Sequence, residues 1–147
     1  MGKLRSYYRQ AADDYAGRLR RYVSLNEFEV REASRAPTIA AQRAEEAKRL
    51  RARISPGTTV VALSREGSGW SSGELARQVE RWRIASRPVV LLVGGSNGLD
   101  AALLAGAQLR WSLSPLTLPH ELARVVVLEQ LYRAFTILRG EPYHKGV

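Results

Sequence analysis

The chain has 147 residues, of which 45% are hydrophobic and 25% are charged, as is typical of a single globular domain. It has no cysteine, which excludes disulfides, zinc–thiolate sites and cysteine nucleophiles. Its apolar runs are too short to cross a membrane and no signal peptide precedes them, so we expect a soluble cytoplasmic protein with no membrane partner.

The formal net charge is +9, and a balance this basic indicates a polyanionic partner. A merely basic, soluble surface is the alternative. The basic residues form three clusters that acidic blocks do not offset: Arg18, Arg20 and Arg21; Lys48, Arg49, Arg51 and Arg53; and Arg77, Arg81, Arg83 and Arg87. This clustering favours the polyanionic partner.

In the first half of the chain, two helices and two strands are predicted in alternation. Apolar residues spaced by three and four predict a helix over 3–22, and the alternation in LNEFEVRE predicts a partly buried strand over 25–32. A second, very basic helix follows over 38–54. The run TTVVAL predicts a buried strand over 58–63, followed by a Gly/Ser loop.

In the second half, the alternation continues through three helices and two strands. Ser71 and Glu74 have the spacing of a capping box at the start of the third helix. Pro119 suits the first turn of the last helix, and Gly140 suits its exit. The predicted elements are a helix over about 72–85, an aliphatic strand over 87–95, a short helix to about 107, a strand over 107–114 and a helix over about 119–138.

This order predicts an α/β fold, with a mostly parallel sheet flanked by helices. No internal repeat or linker interrupts residues 1–147, so we interpret them as a single domain. Ligands of such sheets bind outside the carboxyl ends of the strands. The loops after Leu63, Val93 and Trp111 are therefore the candidate binding loops.

Two of these loops have distinctive compositions. GGSNG, at 94–98, lets a ligand approach the backbone closely but lacks the spacing of a dinucleotide or P-loop motif, and a tight turn without ligand is the alternative. WSLSPLTLPH, at 111–120, offers backbone amides to the edge of a flat heterocycle and leucines to its faces. A hydrophobic connector buried under a neighbouring subunit is the alternative.

The last helix is apolar on more than one face, which predicts a homodimer; a helix fully buried in its own chain is the alternative. The two histidines, His120 and His144, belong to no recognisable catalytic triad or metal site. The sequence therefore indicates a site for a cofactor and RNA, with no metal and no obvious acid–base pair.

VVLLVGGSNGL and WSLSPLTLPHELARVVVLEQLYRAFTILRGEPYHK closely resemble segments of the bacterial 23S rRNA pseudouridine N3-methyltransferase family, RlmH, of the SPOUT class. The resemblance covers essentially the whole chain and is densest from Val89 to Lys145. It implies a C-terminal trefoil knot, a homodimer and S-adenosylmethionine as cofactor. The implied activity is methylation of N3 of a pseudouridine, at position 1915 in helix 69 of 23S rRNA, on the ribosome.

The same resemblance implies roles for individual residues. It implies cofactor contacts at Leu63, Gly94, Leu113, Ser114, Pro115, Leu116, Thr117 and Leu118. The polar groups available for the nucleotide are His120, Arg124, Tyr132, Arg133, Tyr143 and His144. Among these we expect Tyr143 and His144 to meet the nucleotide and Arg133 to hold it, with His120 as a further catalytic candidate. Two other functions compete: a non-catalytic RNA-binding module of this fold, and a nucleotide-binding α/β protein outside RNA biology.

Family members begin with a short hydrophobic strand before the Gly-Lys-Leu that occupies 2–4 here. This chain has Met1 in that place, so we expect four strands where the resemblance implies five, with the missing strand inside the sheet. A misread GTG start codon and a deliberate truncation are the two explanations.

Overall fold

The computed structural model describes residues 2–145, which form five helices and three strands. In chain order they are α1 (Ser6–Leu19), α2 (Ile39–Arg51), β1 (Thr59–Gly69), α3 (Ser72–Ala85), β2 (Val89–Leu92), α4 (Ala101–Ala105), β3 (Leu109–Ser112) and α5 (His120–Arg139). The predicted capping box of α3 is present, and Gly140 ends α5 in the left-handed conformation, at φ 64°. Within 2–145, no helix is long and apolar enough to cross a membrane. Met1, before which an extra strand is expected, lies outside the described residues.

The sheet is parallel, with β1 in the centre, β2 on one side and β3 on the other. Val61 pairs with Leu91 on β2 and with Leu109 on β3. This arrangement confirms the predicted α/β class with a parallel sheet.

The helices form two layers, one on each face of the sheet. Helices α1, α3 and α5 pack on the face that carries Val61, and α2 and α4 pack on the face that carries Val60 and Ala62. Successive residues of a strand point to opposite faces, so one aliphatic run supplies both cores. This explains why β1 is apolar without alternation.

The prediction of a strand over 25–32 is wrong. These residues pair with no strand in the part of the chain that the structure describes, and one backbone bond, from Gly2 N to Val30 O at 3.0 Å, crosses to them. Val30 is buried in the same apolar cluster as Ala47 and Leu50 of α2. The alternation therefore reflects burial against a helix, and three strands are found where four were predicted.

The second correction concerns β1, which continues through the predicted Gly/Ser loop as far as Gly69. The strand bulges between Leu63 and Ser68, and Trp111 of β3 is the partner of both. A Cβ atom on Gly67 would lie 2.6 Å from the carbonyl carbon of Arg110 and 2.8 Å from the nitrogen of Trp111. The absence of a side chain at 67 thus lets the bulged strand return to β3.

Helix α5 is covered by its own chain. It packs between α1 and α3, and none of residues 121–137 is exposed. Helix α1 runs parallel to it, with Arg5 bonded to Glu121 at one end and Tyr22 to Glu141 at the other. The alternative of a buried helix therefore accounts for the apolar faces of α5, and they no longer require a second subunit.

Candidate functional site

Two of the three candidate loops, those after β2 and β3, lie at one edge of the sheet, and beside them the segment after Leu63, predicted as the third loop, is the bulged part of β1. Leu63 precedes the bulge in the central strand, Gly94 follows β2, and Leu113 follows β3. Adjacent strands lie about 4.8 Å apart, so the loops after β2 and β3 are roughly 10 Å apart with Leu63 between them. A nucleoside-sized ligand spans this distance.

The loop 94–98 is a closed turn. Gly98 N donates to Gly95 O at 3.0 Å, and Gly98 has a positive φ of 77°. A Cβ atom on Gly94 would lie 2.8 Å from the carbonyl carbon of Gly98. The turn itself therefore requires glycine at 94, whether or not a ligand approaches. This is what the alternative of a tight turn without ligand predicts.

Helix α2 fixes the same loop from outside the sheet. Arg43 Nε donates to Asn97 O at 2.6 Å, and Asn97 Nδ2 donates to Gln42 Oε1 at 3.0 Å. At the end of the loop, the carboxylate of Asp100 caps the first turn of α4. This edge of the candidate site is thus held rigidly before any ligand binds.

The loop 113–118 combines apolar side chains with unused backbone donors. Leu116 N donates to Ser114 Oγ at 3.0 Å, which tightens the loop and leaves the Leu116 side chain 72% exposed. Within residues 2–145, the backbone amides of Thr117 and Leu118 donate to no protein group. Such a loop can cover the face of a ring and hydrogen-bond its edge.

Sequence reasoning missed the residues that support this loop. Arg65, in the bulge of β1, donates to Thr117 Oγ1 at 3.1 Å. Trp111 is 2% exposed and stacks on Trp70, with ring centroids 5.5 Å apart. No pattern in the sequence places these contacts, because they arise where the bulge brings β1 back to β3.

Arg133 and Tyr143 lie together against the C-terminal half of α5. Arg133 Nη2 and Nε donate to Glu129 Oε1 at 2.7 and 3.0 Å, and Tyr143 OH donates to the same oxygen at 3.1 Å. Burial, and then hydrogen bonds with Tyr15 and Glu129, raise the pKa of Tyr143. The hydrogen bond with Glu129 raises the pKa of Arg133. At neutral pH, Tyr143 is therefore a neutral donor and Arg133 a cation.

The remaining candidates lie apart from this pair. His120 begins α5, thirteen residues before Arg133, which is about 20 Å along a helix. His120 Nε2 is 4.0 Å from Glu32 Oε1. His144 Nδ1 is buried and has no hydrogen-bond partner among the described residues. One chain thus brings Arg133 and Tyr143 together but leaves His120 and the loop 113–118 at the opposite end of the helix.

Two of the polar candidates for the nucleotide site, Arg124 and Tyr132, have structural contacts instead. The Arg124 guanidinium donates to Glu27 at 2.8 Å and to Glu29 at 3.2 Å, and Tyr132 is buried in the main core. Among residues 2–145, no group of three or more His, Cys, Asp or Glu side chains could hold a metal ion.

The basic clusters differ in how far their charges are already paired. Within residues 2–145, Arg77, Arg81 and Arg87 form no ion pair, and all three are exposed on or just after α3. In the α2 cluster, by contrast, Arg49 pairs with Glu45 and Arg51 with Asp100. The α3 arginines are thus the more available for an anionic ligand.

Comparison with known proteins gives consistent matches. A family model described as "Predicted SPOUT methyltransferase" matches residues 1–144. The chain is 48% identical to the "Ribosomal RNA large subunit methyltransferase H" of Anaeromyxobacter sp. (strain Fw109-5), over 99% of this chain and 95% of that protein. It is 42% identical to the protein of the same name from Hahella chejuensis, over 98% of this chain and 94% of that protein.

Proposed function

The chain belongs to the SPOUT methyltransferase family and, within it, to the ribosomal RNA large subunit methyltransferase H family, and from this membership we propose that it methylates large-subunit rRNA with S-adenosylmethionine. The observation that carries the proposal is that the loops after β2 and β3 and the bulge of β1 after Leu63 lie at one edge of the sheet. We further propose that residues 1–147 form one domain with a trefoil knot in its C-terminal part.

The loops fit the chemistry of the cofactor. Leu63 and Leu113 are half-buried and Leu116 is exposed, so together they offer an apolar surface to a purine ring. The unused amides of Thr117 and Leu118 suit the ring's hydrogen-bonding edge. The rest of the run, Ser114 and Pro115, shapes the loop, and the turn at Gly94 closes the other side. The sulfonium of the bound cofactor supplies the methyl group.

The finer proposal is that the acceptor is N3 of a pseudouridine in helix 69, presented by the ribosome. The protein must align this nitrogen with the methyl carbon and help it to lose its proton. Arg133 suits the first task, since it stays a cation and its Nη1 can donate to the base. The single hydroxyl proton of Tyr143 goes to Glu129, so Tyr143 can contact the nucleotide with its ring or accept a bond from it. Neither suits removal of the proton, which leaves His120 and His144 as the candidates for that role.

A homodimer would unite the two halves of the site. The polar groups at the C-terminal end of α5 lie about 20 Å from His120 in the same chain. In a two-fold dimer, the tail of one subunit can reach the cofactor loops of the other. This separation, rather than any excess of apolar surface, is what supports the dimer.

The experiment combines binding with methyl transfer. Titration calorimetry measures binding of S-adenosylmethionine, and mass spectrometry of the rRNA locates any methyl group added to ribosomes that lack this modification. We expect binding, and a single methylated pseudouridine in helix 69 of assembled ribosomes. Ribosome binding without cofactor binding would instead identify a non-catalytic RNA-binding module. Equal methylation of short free RNA would contradict presentation by the ribosome.

A further inference from the structure

One carboxylate in the middle of α5 accepts four hydrogen bonds. Glu129 Oε1 accepts from Arg133 Nε and Nη2 and from Tyr143 OH, and Glu129 Oε2 accepts from Gln130 Nε2 at 2.7 Å. Its side chain is 16% exposed. Among the candidate nucleotide-site residues, Arg133 and Tyr143 are therefore both fixed by one group to which sequence reasoning assigned no role.

This arrangement differs from an ordinary pair on a helix surface. Glu45 and Arg49 have the same spacing on α2, but they share a single contact of 3.3 Å and the Glu45 side chain is 47% exposed. Exposed pairs of that kind contribute little, because solvent screens them and the side chains lose entropy. Glu129 is shielded, and charge-assisted bonds to a shielded carboxylate set geometry more strongly.

The contacts also determine which atoms of Arg133 remain for a ligand. Glu129 engages Nε and Nη2, and Arg133 Nη1 has no hydrogen-bond partner among residues 2–145. The guanidinium carbon lies 5.0 Å from the centre of the Tyr143 ring, which restricts the plane of the group from a second side. The free Nη1 is thus presented in a defined direction.

We propose that Glu129 is a positioning residue for methyl transfer, orienting Arg133 and Tyr143 toward the nucleotide base. The inference rests on the proposed function. When N3 of a pseudouridine loses its proton, negative charge spreads to the two carbonyl oxygens beside it. A guanidinium that is oriented in advance can stabilise that charge without reorganising.

The test replaces Glu129 by Gln, which preserves size and one acceptor but removes the charge. We expect kcat for methylation of ribosomes to fall about 10- to 100-fold, as misaligned groups typically cause, while KM for S-adenosylmethionine stays within about twofold. Glu129→Asp retains the charge and should recover part of the loss. Glu45→Gln removes the matched exposed pair and should leave kcat unchanged.

A second readout does not depend on activity. In protein labelled with ¹³C at the tyrosine Cζ, the Tyr143 chemical shift at neutral pH reports the bond from its hydroxyl to Glu129, and it should move in Glu129→Gln but not in Glu45→Gln. An unchanged Tyr143 chemical shift in Glu129→Gln, or wild-type kcat in the folded variant, would overturn this inference and leave the proposed function standing. If the wild-type protein itself transfers no methyl group, the proposed function fails and the positioning role fails with it.

Discussion

Gly67 lies directly against the backbone of Trp111, closer than any side chain would allow. A Cβ atom at this position would come 2.8 Å from Trp111 N, whereas one on Gly69, two residues further along the same strand, would meet nothing within 4 Å. We therefore predict that Gly67→Ala costs about 1–3 kcal/mol of unfolding free energy, as overpacking does, and that Gly69→Ala costs much less. Chemical denaturation of the two variants measures the difference. Equal stabilities would mean that the bulge tolerates a side chain.

Leu116 should contact the cofactor. Its side chain is 72% exposed, and covering a leucine is worth about 1.5–3 kcal/mol, so Leu116→Asp should weaken binding of S-adenosylmethionine by about tenfold or more. Its melting temperature should not change. Ile84 on α3 is 71% exposed and lies away from the candidate loops, so Ile84→Asp is the matched control. Calorimetric titration that finds the two variants equal would place the cofactor elsewhere.

Glu121 should make stability depend on pH in the acid range. Hydrogen bonds from the side chain and backbone of Arg5 lower the pKa of Glu121. A lowered folded-state pKa gives stability that is complete above the unfolded value of about 4.3 and is lost as pH falls through the folded value. The melting temperature of wild type should therefore exceed that of Glu121→Gln at pH 7, and the gap should shrink below about pH 4.

The control for this effect is Glu45→Gln, which removes an exposed pair on α2. Its melting temperature should follow that of wild type across the same range. A gap between wild type and Glu121→Gln that persists unchanged to pH 3 would show that the lost interaction does not depend on the ionised carboxylate.

Subunits defective at opposite ends of α5 should complement each other. If His120 of one subunit acts with Arg133 of the other, His120→Ala and Arg133→Ala are each inactive alone. A remixed population contains half mixed dimers, each with one intact site, so about one quarter of wild-type activity should return. No recovery would assign both residues to the same subunit's site, and sedimentation of a monomer at micromolar concentration would exclude the dimer.

The exposed arginines of α3 should carry much of the affinity for ribosomal RNA. Each phosphate contact contributes about 0.7–0.9 to the slope of log affinity against log salt, so neutralising Arg77, Arg81 and Arg87 should reduce that slope by roughly 2–3. Neutralising Arg49 and Arg51, which already have acidic partners, should reduce it less. Filter binding over a range of salt concentrations compares the variants, and equal slopes would exclude the α3 face.

Strongly periodic segments and parallel topology were predictable from the sequence. The capping box placed α3 at 72–85, where it is observed, and the βα alternation placed the carboxyl ends of the strands at one edge of the sheet, although the loop predicted after Leu63 is a bulged continuation of β1. The contacts of Arg65 and Glu129 were not predictable. An acid four residues before an arginine usually indicates an exposed helix pair, and nothing local reveals that the chain folds back to add Tyr143. The prediction of a strand over 25–32 was wrong for a similar reason. Alternating apolar residues indicate that one side of a segment is buried, but they do not indicate whether it packs against a strand or a helix.

The parallel pairing of α1 with α5 has a consequence for synthesis of the chain. Helix α1 leaves the ribosome first, yet the residues that flank it bond to partners near the end of the chain. Arg5 bonds to Glu121, 116 positions later in the sequence, and Tyr22 bonds to Glu141, 119 positions later. The apolar face of α1 must therefore stay uncovered until nearly the whole protein has been made. Closing so long a loop is entropically costly, and contacts this distant in sequence slow folding. The nascent chain should therefore depend on chaperones until α5 has been synthesised, and α1 is the segment that they would bind.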